Sequence, residues 1–278
     1  MSMNRFVRKL LLPGIVQVFL LACSLFILAP LAIMFVGSFK DTREAAQLSL
    51  SLPKVWYFEN YLVVYENGNI GRAFINSSLI TFSVVVITVL VSSMASFYLA
   101  RATSRLSRGI YSAFMIGLVA PMSMIPTIRL LQMLHLNNSY LGVILIFTSL
   151  NLAFSVMLMT GFVKAIPRQL DEAAIIDGCG PLRAFFQVVF PLLMPVIATG
   201  AVFVFMSVWN SFVIPLYFLS DSDKWPMPLT VYNFFGQYQS SWNLVFADLV
   251  MTATPVIVVY ILAQRYIIEG MTAGAIKG

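Results

Sequence analysis

Six stretches of this chain run on with almost no charge in them: residues 10–39, 74–100, 109–131, 140–163, 192–219 and 249–264. A hydrocarbon core about 30 Å thick takes about 20 apolar residues per helix. Five of the stretches reach that length, and the last does so once Val245, Phe246 and Ala247 join it. Inside lipid every backbone N–H and C=O needs a partner within the protein, which leaves helices or a closed barrel. Barrel strands are short and alternate apolar with polar residues; these continuous runs do not. The prediction is an all-α integral membrane protein with six transmembrane helices. The first stretch follows Arg5, Arg8 and Lys9 but is far longer than the core of a signal peptide, so it reads as a retained span, bent at Pro30.

Composition supports the same conclusion. Hydrophobic residues make up 60% of the chain and charged ones 10%, against about 45–50% and about 25% in soluble domains. Disorder and a disulfide scaffold are excluded on these figures. The net charge of +6 raises nucleic-acid binding as a possibility. The basic residues, however, are scattered between the spans, and their placement has a simpler cause. With the N-terminus inside, the inner segments hold 11 of the 17 basic residues against four acids. The short loop carrying Arg101, Arg105 and Arg108 holds no acid. This is the positive-inside pattern, and it puts both termini in the cytoplasm with no nucleic-acid partner.

Several chemistries are missing. No Lys is followed by Ser or Thr, so there is no Walker A loop to hold ATP phosphates. The run from Gly178 to Arg183 mimics a dinucleotide fingerprint only by chance, because Arg183 stands where the third Gly belongs. A single histidine, His135, and the distant Cys23 and Cys179 make no metal set and no disulfide. Charged groups inside spans mark proton pathways. Here Arg129 and Asp248 are placed at span ends, which counts against a proton-driven carrier. Asn76 reads as the N-cap of the second span.

Two segments on the outer side, 40–73 and 220–243, mix polar residues with Trp56, Tyr57, Tyr61, Tyr65, Trp225, Tyr232, Tyr238 and Trp242. They suit an interfacial aromatic belt or a docking surface for an external partner.

The inner segment 164–195 differs from the other loops. Pro167 suits a first helical turn, and Asp171 and Glu172 favour the positive end of a helix. Gly178 should stop that helix with a positive φ. Pro181 should then start a second one, which Pro191 ends. The first helix is expected to present the small Ala173 and Ala174 with the acids Glu172 and Asp177, a face that another surface could approach closely. Alternatively, the segment is an amphipathic helix resting on the membrane.

The string Glu172-Ala173-Ala174-x-x-Asp177-Gly178, followed by Phe185, Phe190-Pro191-Leu192 and Pro195, resembles the EAA loop of ABC importer permeases. Its form is that of the carbohydrate-uptake branch, similar to the second permease of the maltose transporter. Asn76-Ser77-Ser78-Leu79, Trp209-Asn210-x-Phe212 and the Gly- and Lys-bearing tail from Gln264 to Gly278 resemble the same family. Together they cover the chain from residue 74 to its end.

The resemblance implies a type I ABC importer transmembrane domain at 74–268. A first span and its outer loop precede it at 1–73, and a cytoplasmic tail follows at 269–278. It implies a permease subunit, not an enzyme, in a bacterial or archaeal inner membrane. Its partners would be a second permease, two ATPases and a solute-binding protein that delivers a sugar or oligosaccharide. ATP and Mg would sit on the ATPases, with no cofactor or metal in this chain. Coupling would fall to Glu172, Ala173, Ala174, Asp177, Gly178 and Pro191. Asn210, Trp209, Asn151 and Ser155 are the span residues suited to line a sugar path, since amides bond hydroxyls and indoles stack on C–H faces. The rival function is an ion-coupled carrier acting alone. An intramembrane enzyme finds no nucleophile–base pair in the spans.

Overall fold

The computed structural model describes residues 3–236 and 241–275, with side chains described over 16–236 and 241–265. Tyr238, Lys277, Gly278 and the side chains of Arg5, Arg8, Lys9 and the tail beyond Arg265 lie outside the described residues. The chain is helical: α1 Met3–Gly37, α2 Thr42–Ala45, α3 Glu59–Asn67, α4 Ile70–Arg101, α5 Arg105–Val119, α6 Met124–Met133 and α7 Tyr140–Ala165. There follow α8 Gln169–Ile176, α9 Pro181–Ala184, a π turn Phe185–Val189, α10 Phe190–Leu192, α11 Met194–Trp209, α12 Val213–Phe218 and α13 Trp242–Ala275.

Among the described residues, four helices are long and apolar enough to cross a membrane alone: Val16–Gly37, Ile70–Arg101, Tyr140–Ala165 and Trp242–Arg265. Two bent pairs bring the number to six if each makes one crossing: α5 with α6, turned by 120°, and Pro181–Leu192 with α11, turned by 78°. The expected third span is therefore broken, and the cause lies in its sequence. Pro121 disfavours the helical conformation in the residue before it, and Ala120 is extended at ψ 124°. Pro126 falls in the first turn of α6, where its missing N–H leaves no bond unmade. The expected fifth span is also divided, with a turn at 210–212 separating α11 from α12. By contrast α1 runs on through Pro30 without a break.

Asn76 caps nothing, because α4 starts six residues earlier at Ile70. Asp248 is not at a helix end either. It lies in the second turn of α13, 1% exposed, with Thr230 donating to its Oδ1 at 2.6 Å.

The chain packs as two compact units, Met1–Ile70 with Thr230–Ala253, and Gly71–Leu229 with Thr254–Gly278. In the first, buried polar side chains organise the loop after α1. The Lys40 ammonium gives its three protons to Ser49 O, Ser49 Oγ and Ser51 Oγ at 2.8, 3.4 and 3.3 Å. The Asn60 amide bridges the carbonyls of Ser38 and Lys40, and its oxygen accepts from Asn243. Ser38 donates to Phe35 O, which leaves its oxygen to accept from the Tyr61 hydroxyl at 2.7 Å. Burial pushes the Tyr61 phenol above its ordinary range. Phe39, Trp56, Phe58 and Tyr61 close this loop as an aromatic cluster.

In the second unit α4 and α7 pack closely because α4 carries a stripe of small residues, Ser92, Ser93 and Ser96, all fully buried. Ser96 Oγ donates to Val156 O at 3.1 Å. Two apolar clusters fill this unit. One gathers Ile80, Val84, Phe147, Val204, Val208 and Phe218. The other gathers Val89, Met159, Val163, Phe185, Val189 and Leu193, and seats the π turn at the Arg101 end of α4.

Candidate functional site

The segment between α7 and α11 folds into a corner. Helix α8 ends in a Schellman motif: Cys179 N–H donates to Ala174 O at 2.9 Å and Gly178 N–H to Ile175 O at 3.0 Å. Gly178 has φ +79°, as the sequence predicts. A side chain there would meet nothing within 4 Å, so glycine is needed for backbone conformation, not for space. Gly180 is extended, and Pro181 opens α9.

The helix that starts at Pro181 does not end at Pro191. It widens into the π turn at Phe185–Val189 and continues through α10 to Leu192. A proline ring collides with the carbonyl four residues earlier. The five-residue π turn just before Pro191 opens the helix at that place. The break falls instead at Leu193, two residues before Pro195.

Helix α8 is attached to the rest of its unit by charge. Arg101, the last residue of α4, forms an ion pair with Asp171, both side chains 16% exposed. Its Nη2 also donates to Ile166 O, just past α7, at 3.2 Å. One guanidinium thus ties the ends of α4 and α7 to the first turn of α8. Beside it, Met94, Phe97, Tyr98, Arg101, Leu182 and Phe185 line a groove of about 470 Å³. Phe185 is buried against Phe97, with ring centroids 5.5 Å apart.

The sequence-predicted residues of this corner separate into two groups. Glu172, Ala173, Asp177 and Gly178 are exposed. Ala174 is not: at 5% exposure it is buried within this chain, on a helix that packs against α9 and the π turn. The small residue at 174 therefore admits the chain's own neighbours. Two features escaped sequence reasoning. Arg101 counted only as inside positive charge, although it stands at a helix end facing an acid-rich loop. Ile175 and Ile176, at 66% and 85% exposure, lie on the free side of α8 with Leu182 nearby in α9. Adjacent isoleucines on a short acidic helix were the available signal. An exposed apolar patch rimmed by carboxylates is suited to contact a protein surface.

The four candidate path residues stand in different settings. Trp209 is buried and lines a cavity of about 390 Å³ with Ser78, Thr81, Phe82, Val202 and Phe205. Its indole stacks on Phe205 at 5.4 Å. Asn210 is exposed at the turn after α11. Asn151 donates to Phe147 O on its own helix, and Ser155 is buried with its Oγ unbonded. Among the described residues no three His, Cys, Asp or Glu side chains gather to hold a metal.

Residues 1–272 match the profile of the family described as binding-protein-dependent transport system inner membrane component. The chain belongs to that family. The permease is 33% identical over 262 residues to a diacetylchitobiose uptake system permease protein of Streptomyces coelicolor, covering 93% of this chain and 87% of that protein. It is 35% identical over 257 residues to a probable starch degradation products transport system permease protein of Thermoanaerobacterium thermosulfurigenes, covering 91% and 93%. A chain from the crystal structure of a bacterial ABC transporter involved in the import of the acidic polysaccharide alginate has the same fold. Its TM-score is 0.82 at 24% identity, over 93% of this permease and 98% of that chain. The permease is thus a multi-pass subunit of an ABC import system with the type I transmembrane fold.

Proposed function

We propose that this permease imports a sugar or oligosaccharide as one half of a translocation pathway, driven by an ATPase that docks on α8. Relatives named for diacetylchitobiose, starch-degradation-product and melibiose, raffinose or stachyose transport, aligned over more than nine-tenths of this chain, support the solute class. The observation that carries the coupling role is the α8 corner, which exposes Glu172, Asp177 and Ile176 on a helix anchored to α4 by Arg101. ATP and Mg sit on two ATPase subunits, and a second permease completes the pathway. An extracytoplasmic binding protein delivers the solute.

Both termini lie in the cytoplasm, as the charge distribution implies. Residues 1–73 then form the first span and its outer loop, 74–268 the transmembrane domain and 269–278 the inner tail. The cavity at Trp209, lined also by Ser78, Thr81 and Phe82, is the candidate for this chain's part of the sugar path.

The test is reconstitution in liposomes. Uptake is expected only when binding protein is outside and ATP inside, with the ATPase present. Uptake by the permease alone under a proton or sodium gradient would establish the rival secondary carrier instead.

A further inference from the structure

Asn76 lies in the second turn of α4, 6% exposed. Its amide nitrogen donates to Asp223 O at 2.9 Å and Trp225 O at 3.0 Å. Its oxygen accepts from the Tyr140 hydroxyl, at the start of α7, at 2.8 Å. Both amide protons bond carbonyls two residues apart on one loop, and the oxygen is bonded to a second helix. Next to it, Ser77 Oγ accepts from Met227 N–H at 2.9 Å. The loop from Asp221 to Met227 is therefore clasped through its backbone to α4. Asn60 bridges the Ser38 and Lys40 carbonyls in the same manner elsewhere in the chain. A carboxylate at 76 has no proton to give, a serine has one, and a glutamine would set the amide one methylene too far out. The Arg72–Asp223 ion pair spans the same elements, but both side chains are more than half exposed. Such pairs hold little, so the clasp on α4 rests on Asn76 with Ser77, while Asn138 accepts from the Ser220 and Asp221 N–H groups at the start of the loop.

We propose that Asn76 is a positioning residue for the solute-binding protein: it holds the loop from Asp221 to Met227 in one shape, ready for docking. This rests on the importer function and on the orientation that puts this loop outside. A preformed loop docks without an ordering cost, whereas a loosened one must be ordered at each encounter. Loss of the clasp should therefore weaken docking and leave the later steps of transport untouched. A residue with only a role in folding would lower the amount of working assembly and its maximal rate.

The experiment titrates the complete assembly in liposomes with the sugar-loaded binding protein of the same transport system and follows ATP hydrolysis. In Asn76→Asp the half-saturating concentration should rise about tenfold, as expected for two lost hydrogen bonds, with the maximal rate per assembled complex retained. Tyr140→Phe leaves both carbonyl bonds in place and removes only the third. It should raise that concentration about threefold, and it keeps the test open if Asn76→Asp fails to assemble. A wild-type half-saturation in Tyr140→Phe, or a lower maximal rate at unchanged half-saturation in either variant, overturns the inference. A wild-type assembly that ignores the binding protein would instead overturn the importer function and this inference with it.

Discussion

Exchanging the charges of Arg101 and Asp171 should restore a permease that either single reversal disables. Arg101→Glu places two acids in contact at a site where both partners are 16% exposed. Asp171→Arg does the same with two cations. Breaking a largely buried pair leaves a charge without compensation, at a cost of about 3 kcal/mol or more. The cost falls on the attachment of α8 to α4 and α7, because the spans are held by their own apolar clusters. Each single variant should still insert and bind the ATPase, with uptake more than tenfold lower. The double variant, Arg101→Glu with Asp171→Arg, should regain most of the uptake. The Ile166 bond from Arg101 is not recreated by the exchange, so recovery should stop short of wild type. A double variant as inactive as the singles would show that the pair does not act as a strut.

Ile176→Glu should detach the ATPase. At 85% exposure the Ile176 side chain contributes almost nothing to the packing of this chain, so the variant should fold and insert normally. Fully burying an isoleucine against a partner is worth about 1.5–3 kcal/mol, and burying an unpaired carboxylate in its place is opposed further. Co-purification of the ATPase should fall by at least about tenfold. Ala174→Trp is a poor substitute for this test. Ala174 is buried within the permease, so a large side chain there would disrupt α8 itself. Ala173→Trp, on the exposed side, is the appropriate partner-blocking variant.

The sequence carried most of the fold because membrane spans are specified by long runs of one physical property. Residues 74–100 and 140–163 correspond to α4 and α7 with little correction. Hydropathy failed where proline and local geometry decide. The run 109–131 is apolar throughout most of its length, yet Pro121 divides it at Ala120. Pro191 was expected to stop a helix that a π turn allows to continue. In the corner after α8 Gly178 was legible because a Schellman motif constrains residue type at its left-handed position. Which side of α8 is free was not legible. Eight residues make only about two turns, and the Arg101–Asp171 pair that orients them joins positions 70 residues apart. For the same reason Asn76 could be taken for a helix cap, since its partners at 223 and 225 are distant in the chain.

The account depends above all on α8 transmitting the ATPase stroke, and Glu172 is the residue through which this is most directly tested. It is exposed in the first turn of α8, so its replacement leaves the permease's own packing intact. The measurement is ATP hydrolysis by the Glu172→Lys assembly in liposomes, with and without solute-loaded binding protein. The predicted result is hydrolysis that no longer responds to the binding protein, in vesicles that contain a normal amount of permease. A wild-type response in that variant would contradict the coupling role of α8 and favour a helix that merely rests on the lipid surface.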